Sequence, residues 1–317
     1  VRRWFFRSRW AFLLPLTAPL LSCQIDDGQC GDLVARNADE VVLCTGNGDA
    51  IIAHVAMPEG HPPPGGWPGV VLLHGSSGLF RKTDRGCSEE IHGRFKEWAD
   101  TLNDQGYAVI LPGSFYSRGF CTWSGRKDAE FDYDKEERLV VRAYDAAAAG
   151  DWLCAHHQVN CSRLAVFGFS NGASVAMLVM QEDLAVADDP RLRALRTPSF
   201  AGGVAYYPGC GLHGQLPINL DADQVHRYYY PKAPMWVPHA EKDRLAETCE
   251  QIRDPQVDIV AERRGVGVDM FELEVYDGAK HGFDRADDDD RKSDRRARAK
   301  ARTRTLAKLA EWLGEGI

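Results

Sequence analysis

Positive charge is in short supply in this sequence. Lys and Arg number 38 against 46 Asp and Glu, a formal net charge of -8 at pH 7. A general nucleic-acid surface needs a basic face to offset phosphate charge, so nucleic acid is not expected as a partner. The CxxC and HExxH spacings that gather thiolates or imidazoles around zinc are missing too, and neither a metal nor an organic cofactor is expected. The acidic run Asp287 to Asp290 lacks the alternating ligand spacing of a calcium loop, and the surrounding "DRADDDDRKSDRRARAKARTR" reads as a solvated loop and helix face. "GCGLHG" fits a dinucleotide fingerprint in letters only, because Pro217 follows before a helix can begin. No repeat of fixed period is visible. The 317 residues, 44% of them hydrophobic, read as one main domain with a sizeable core.

The first 23 residues stand apart. Arg2, Arg3, Arg7 and Arg9 precede "AFLLPLTAPLL", an apolar run too short to span a bilayer as a helix. Residues 1–23 therefore read as an export signal, 24–40 as an N-terminal tether or extension, and 41–317 as the main domain. "LLSC", ending at Cys23, resembles a bacterial lipoprotein processing site, which would give Cys23 a lipid and the chain a membrane anchor. "RRWFFR" resembles a twin-arginine export motif and reads equally as a generic basic n-region. The expected location is outside the cytoplasm: periplasmic, envelope-anchored or secreted. Eight further cysteines suit an oxidising compartment, and neighbours in order are the simplest disulfide pairing: Cys30 with Cys44, Cys87 with Cys121, Cys154 with Cys161, Cys210 with Cys249.

Short β-rich runs, "EVVLC", "AIIAHVAMP" and "GVVLLHG", come first, bounded by turn residues. "IHGRFKEWADTLNDQG" carries apolar residues at helical spacing (Ile91, Phe95, Trp98, Leu102) and stops at Gly106; "YAVILP" follows as a buried strand. The rhythm continues with a helix at about 135–153, a strand at 163–167, a helix from about 172, strands at 203–207 and 234–238, a helix at about 244–263, a strand at 268–276 and a helix at about 294–314. Alternation of this kind predicts an α/β fold with a mostly parallel, doubly wound sheet flanked by helices.

The chemistry centres on "RLAVFGFSNGASVAM". Composition alone would give a GxSxG pattern in about one such chain in ten, so its setting has to carry the argument. Here the serine sits between a strand and a helix, the position of a nucleophile elbow, and Gly168 and Gly172 answer the need for a turn without β-carbons. Serine needs a base, and the base needs an orienting acid. Both are expected downstream at later strand ends, in the order Ser, acid, His. "APMWVPHAEKD" offers Asp243 and "FELEVYDGAKHGFD" offers His281, with Asp277 or Glu241 and His239 or His213 as competitors. The oxyanion of an acyl transfer requires N–H donors, for which the backbones of Asn171 and Ser76 are the candidates.

"LLHGSSG", "PGSFYSRGFC", "VFGFSNGASVAM", "AYYPGCG", "HAEKD" and "YDGAKHGFDR" together resemble the dienelactone hydrolase family, from about residue 50 to the end. The resemblance implies the α/β-hydrolase fold over 41–317 and hydrolysis of a small-molecule ester or lactone by Ser170, Asp243 and His281. Serine stands where the family's namesake enzymes use cysteine, so a broader esterase reading is preferred to a dienelactone substrate. Phe115, Tyr116, Arg118, Trp123 and Arg126 are expected to line the substrate pocket, the arginines meeting a carboxylate. A serine peptidase or acyl-aminoacyl hydrolase on the same fold, and a non-catalytic envelope binding protein, are the alternative readings.

Overall fold

A computed structural model describes residues 33–84, 86–123, 135–187, 189–212, 229–253, 270–285 and 291–314. The export signal, the expected partner of Cys44 at Cys30, and Arg126 and His213 lie outside them. The described residues form ten strands: β1 (Glu40–Cys44), β2 (Ala50–Ala56), β3 (Trp67–Leu73), β4 (Phe80–Thr83), β5 (Gly86–Ile91), β6 (Ala108–Pro112), β7 (Val159–Phe169), β8 (Gly202–Tyr206), β9 (Met235–Ala240) and β10 (Phe271–Tyr276). The principal helices are α1 (Gly93–Asp104), α2 (Lys135–Ala155), α3 (Asn171–Met180), α4 (Pro190–Ala194), a stretch at 246–253 (α5) and α6 (Lys292–Leu313).

Eight strands form one sheet in the order β1-β2-β6-β3-β7-β8-β9-β10. β1 and β2 run antiparallel at one edge, and all pairings from β6 to β10 are parallel. Strands covered on both faces must be apolar throughout, which is why "WPGVVLL" and "AVILP" show no polar alternation. Alternate residues still part company. Val71, Leu73, Ile110 and Val166 face α2 and α3, whereas Val70, Leu72, Val109 and Phe167 face α1 and α6. The fold is the doubly wound architecture expected.

β4 and β5 pair as a separate two-stranded sheet, an element the sequence pattern did not announce. Cys87–Cys121 ties it to the loop after β6, Cys154–Cys161 closes the turn from α2 to β7, and Cys210–Cys249 joins the loop after β8 to α5. These three bridges follow the simple neighbour pairing. Cys44 is disulfide-bonded as well. The described end of the N-terminal extension packs on the domain: the Arg36 guanidinium covers the Phe80 and Tyr116 rings at 4.4 and 4.3 Å and pairs with Glu40. Much of the basic face of α6 is matched to acids, Arg302 with Glu97 and both Arg304 and Lys308 with Glu272. No helix among the described residues is long and apolar enough to cross a membrane.

Candidate active site

The parallel register levels the strand ends that bear the chemistry. Leu73 lies opposite Gly168, Phe169 opposite Tyr206, and Ala240 opposite Tyr276, so the loops after β3, β7, β9 and β10 leave one rim of the sheet together. Ser170 sits at the sharpest of these departures, with φ 52° and ψ -118°, a left-handed conformation that L residues seldom adopt. Such strain costs on the order of 1–3 kcal/mol and persists only where the surroundings enforce it. They do here. A β-carbon on Gly168 would fall 2.1 Å from the Gly172 carbonyl oxygen, and one on Gly172 only 2.4 Å from the carbonyl oxygen of His74. Both glycines are steric requirements of the elbow.

Three distant side chains converge there. Ser170 Oγ lies 2.9 Å from His281 Nε2, and His281 Nδ1 lies 2.5 Å from Asp243 Oδ2. The other Asp243 oxygen accepts the Leu245 N–H at 3.1 Å. Burial pushes the Asp243 carboxyl upward, but the hydrogen bond and charge of His281 outweigh it and hold the group below its ordinary range. The acid and histidine loops are stitched to one another, Lys242 N–H to Ala279 O at 2.9 Å and Gly278 N–H to Glu241 Oε2 at 2.6 Å. Glu241 therefore serves that stitch. His239 is buried, with Nδ1 accepting the Ala240 N–H and Nε2 donating to Pro208 O. Its ring is satisfied by backbone and stands 3.9 Å from Asp243.

Asn171 opens α3, so its backbone N–H has no carbonyl within the helix to bond. The loop after β3 lies directly against Ser170: a β-carbon on Gly75 would sit 3.4 Å from Ser170 Cβ. Gly75 O accepts His74 Nδ1–H at 2.8 Å and the Gly78 N–H at 3.1 Å. Because a trans peptide directs N–H opposite to C=O, the Ser76 N–H points away from those donors. Ser76 O is clamped in turn by the Trp123 N–H at 2.7 Å and the Thr122 hydroxyl at 3.2 Å.

The expected pocket lining needs correction. The Arg118 guanidinium is used within the protein, bonded to Asp49, Asp145 and the Ser114 carbonyl, with 8% of the side chain exposed. A cation bound to two carboxylates has no capacity left for a substrate's. Phe115 and Trp123 form a packed, buried aromatic cluster with Phe120, and Phe115 rests on His74 at 4.6 Å, beneath the loop after β3. Tyr116 packs on Phe80 and carries Arg36.

A cleft opens at the start of α1. It encloses about 470 Å³ between the start of α1 and the loop after His281, lined by Ser77, Arg81, His92, Arg94, Glu97, Asp284 and Arg285. Arg94 is paired with Asp284. Arg81 reaches only an exposed Glu90 at 4.0 Å, and Arg285 has no ion-pair partner among the described residues. The Tyr207 ring lies 4.7 Å from that of His281, and its hydroxyl donates to Asp284 and accepts from Arg94, so a fixed aromatic surface backs the imidazole. Tyr207 and the arginines of the cleft went unread in the sequence; "AYYPGCG" marks the first, and nothing local marks the others.

The dienelactone hydrolase family model matches residues 51–316. Among solved structures, a dienelactone hydrolase-like promiscuous phosphotriesterase from metagenomic libraries superposes with a TM-score of 0.58 at 19% identity, covering 87% of this chain and 98% of that one. An esterase from Thermogutta terrifontis gives 0.54 at 13% identity, over 88% and 94%. A dipeptidyl peptidase 4 from Porphyromonas gingivalis gives 0.54 at 13%, over 87% of this chain and 35% of that one. No curated protein matches the sequence. With a family model spanning nearly the whole described domain, and a fold and strand order to match, the chain belongs to the dienelactone hydrolase family of ester-hydrolysing α/β-hydrolases.

Proposed function

We propose that this protein is an exported serine hydrolase that cleaves carboxylic esters or lactones through an acyl-enzyme on Ser170. The observation that carries the reading is the continuous chain of contacts from Ser170 Oγ through His281 to Asp243, 2.9 and 2.5 Å long. Nε2 of His281 takes the hydroxyl proton as Oγ attacks the ester carbonyl, and Asp243 fixes the tautomer and stabilises the imidazolium. Negative charge gathers on the carbonyl oxygen, where the N–H groups of Asn171 and Ser76 receive it. Collapse of the tetrahedral adduct breaks the ester C–O bond, and the alkoxide leaves with the proton from His281. Water, activated by the same imidazole, then attacks the acyl carbon and frees Ser170.

Substituents of the substrate extend into the cleft at Arg81 and Arg285, which take over the carboxylate-binding role expected of Arg118. The bridges at Cys87–Cys121, Cys154–Cys161 and Cys210–Cys249 favour an oxidising compartment, in agreement with residues 1–23 acting as an export signal. The test is hydrolysis of a short p-nitrophenyl ester by purified mature protein. Wild type turns over, and Ser170→Ala, folded to the same thermal midpoint, does not; equal rates in the two would remove the mechanism.

A further inference from the structure

Beneath the elbow lies a buried guanidinium for which the mechanism above has no use. Arg142, on the inner face of α2, is 2% exposed. One terminal nitrogen donates to Asn171 Oδ1, and the other donates to His74 O at 2.5 Å. Its Cζ stands 5.1 Å from the centre of the Phe115 ring, and its Nε finds no acceptor. Asp145, the carboxylate whose charge acts on it, is already bonded to Arg118. Burial, offset in part by Asp145 and reinforced by the charge of Arg118, pushes the Arg142 pKa down to about 9. A cation kept in so poor a setting is costly to the fold, and a neutral side chain of similar bulk could pack there.

The two groups it grips are informative. Asn171 supplies one proposed oxyanion donor from its backbone, and His74 begins the loop that supplies the other at Ser76. The segments come from different strand ends, β3 and β7, and their spacing sets where the two N–H groups meet. We propose that Arg142 is the positioning residue of the oxyanion hole: its fork bridges the His74 carbonyl and the Asn171 carboxamide, fixing both donor peptides in one geometry. A fork is required for this, because a single ammonium cannot bond both acceptors in the same planar arrangement.

This inference rests on the serine-hydrolase reading. It is tested by steady-state kinetics of Arg142→Met, Arg142→Lys and Asn171→Ala on a p-nitrophenyl ester, each with a thermal midpoint, and of Arg142→Met combined with Asn171→Ala. Loss of one oxyanion donor costs about 10²–10³ in kcat, and loosening both by removing their clamp is expected to cost about 10–100-fold with KM within about twofold. Arg142→Lys recovers part of the loss. The double variant is no slower than Arg142→Met, because both changes break one bridge. A folded Arg142→Met with wild-type kcat, a loss confined to KM, or strictly additive losses in the double variant would overturn the proposal. Should the methionine variant not fold, wild-type kcat in both Arg142→Lys and Asn171→Ala overturns it equally. Full activity in Ser170→Ala would strike the underlying mechanism; full activity in Arg142→Met with an inert Ser170→Ala strikes only the clamp.

Discussion

Asp243 directs Oδ2 at Nδ1 of His281 across 2.5 Å, with only 7% of the aspartate side chain exposed. A carboxylate so placed holds one imidazole tautomer and leaves Nε2 free to accept a proton from Ser170. Asp243→Asn keeps the shape but offers an amide that can fix the wrong tautomer. It is expected to lower kcat by about 10³–10⁴ with little change in the thermal midpoint. A loss of less than tenfold would mean another group orients the histidine.

The disulfide Cys87–Cys121 directly precedes Thr122 and Trp123, the clamp on Ser76 O, whereas Cys154–Cys161 lies at the start of β7, far from the rim. Replacing Cys87 and Cys121 by serine opens a loop of 34 residues, worth roughly 3–4 kcal/mol by chain entropy. We expect a clear drop in thermal midpoint together with a fall in kcat. The Cys154 and Cys161 pair, replaced likewise, costs stability with kcat retained. Equal kinetic effects from the two pairs would dissociate the bridge from the oxyanion loop.

The proposed reach of the substrate toward Arg81 and Arg285 favours an anionic substituent. An ester ending in a carboxylate is expected to be preferred over its neutral isostere, and the preference to shrink roughly tenfold in Arg81→Ala/Arg285→Ala, as befits two solvent-facing charges. The ratio of kcat/KM for a succinate and a butyrate p-nitrophenyl ester measures it. A ratio unchanged by the substitutions would place the substituent elsewhere.

Five histidines, His54, His74, His92, His156 and His239, are held below their ordinary pKa of 6.5, in each case chiefly by burial. The folded chain keeps them neutral while the unfolded chain protonates them below about 6.5, so the unfolded state binds more protons and stability falls as pH drops. Each contributes a slope of at most about 1.4 kcal/mol per pH unit. Below the ordinary carboxylate range Asp243 and Glu40, both held low in the fold, add to the loss. Thermal midpoints should decline from pH 7.5 through 6.5 to 5.5; a flat or rising series would contradict the burial of these imidazoles.

The wound sheet was legible because its signals are local: apolar strands, helical spacing and glycine stops recur within windows of a dozen residues. Val159–Phe169 extends four residues earlier than the sequence pattern suggests, since "VNCS" is polar and pairs only at Trp67 before the ladder proper. The elbow was legible for the same local reason, and strand order then pointed to Asp243 and His281. The Arg118 ion pairs were not, because they join residues 69 and 27 positions apart, and an arginine beside aromatics reads equally as pocket or as core. Arg142 was hidden in an ordinary amphipathic helix, where no pattern distinguishes a buried guanidinium from a solvated one. The β4–β5 hairpin buries only Phe80 and carries charged, exposed residues at Arg81, Lys82, Glu89 and Glu90, so it lacks the alternation that announces a strand.

The most direct test of the central claim is covalent. Mature protein incubated with a fluorophosphonate and digested for peptide mass analysis should carry one phosphonyl group, on Ser170 within "VFGFSNGASVAM", and His281→Ala should label far more slowly. No adduct on the wild-type enzyme, or an adduct mapped to a different residue, would contradict the account.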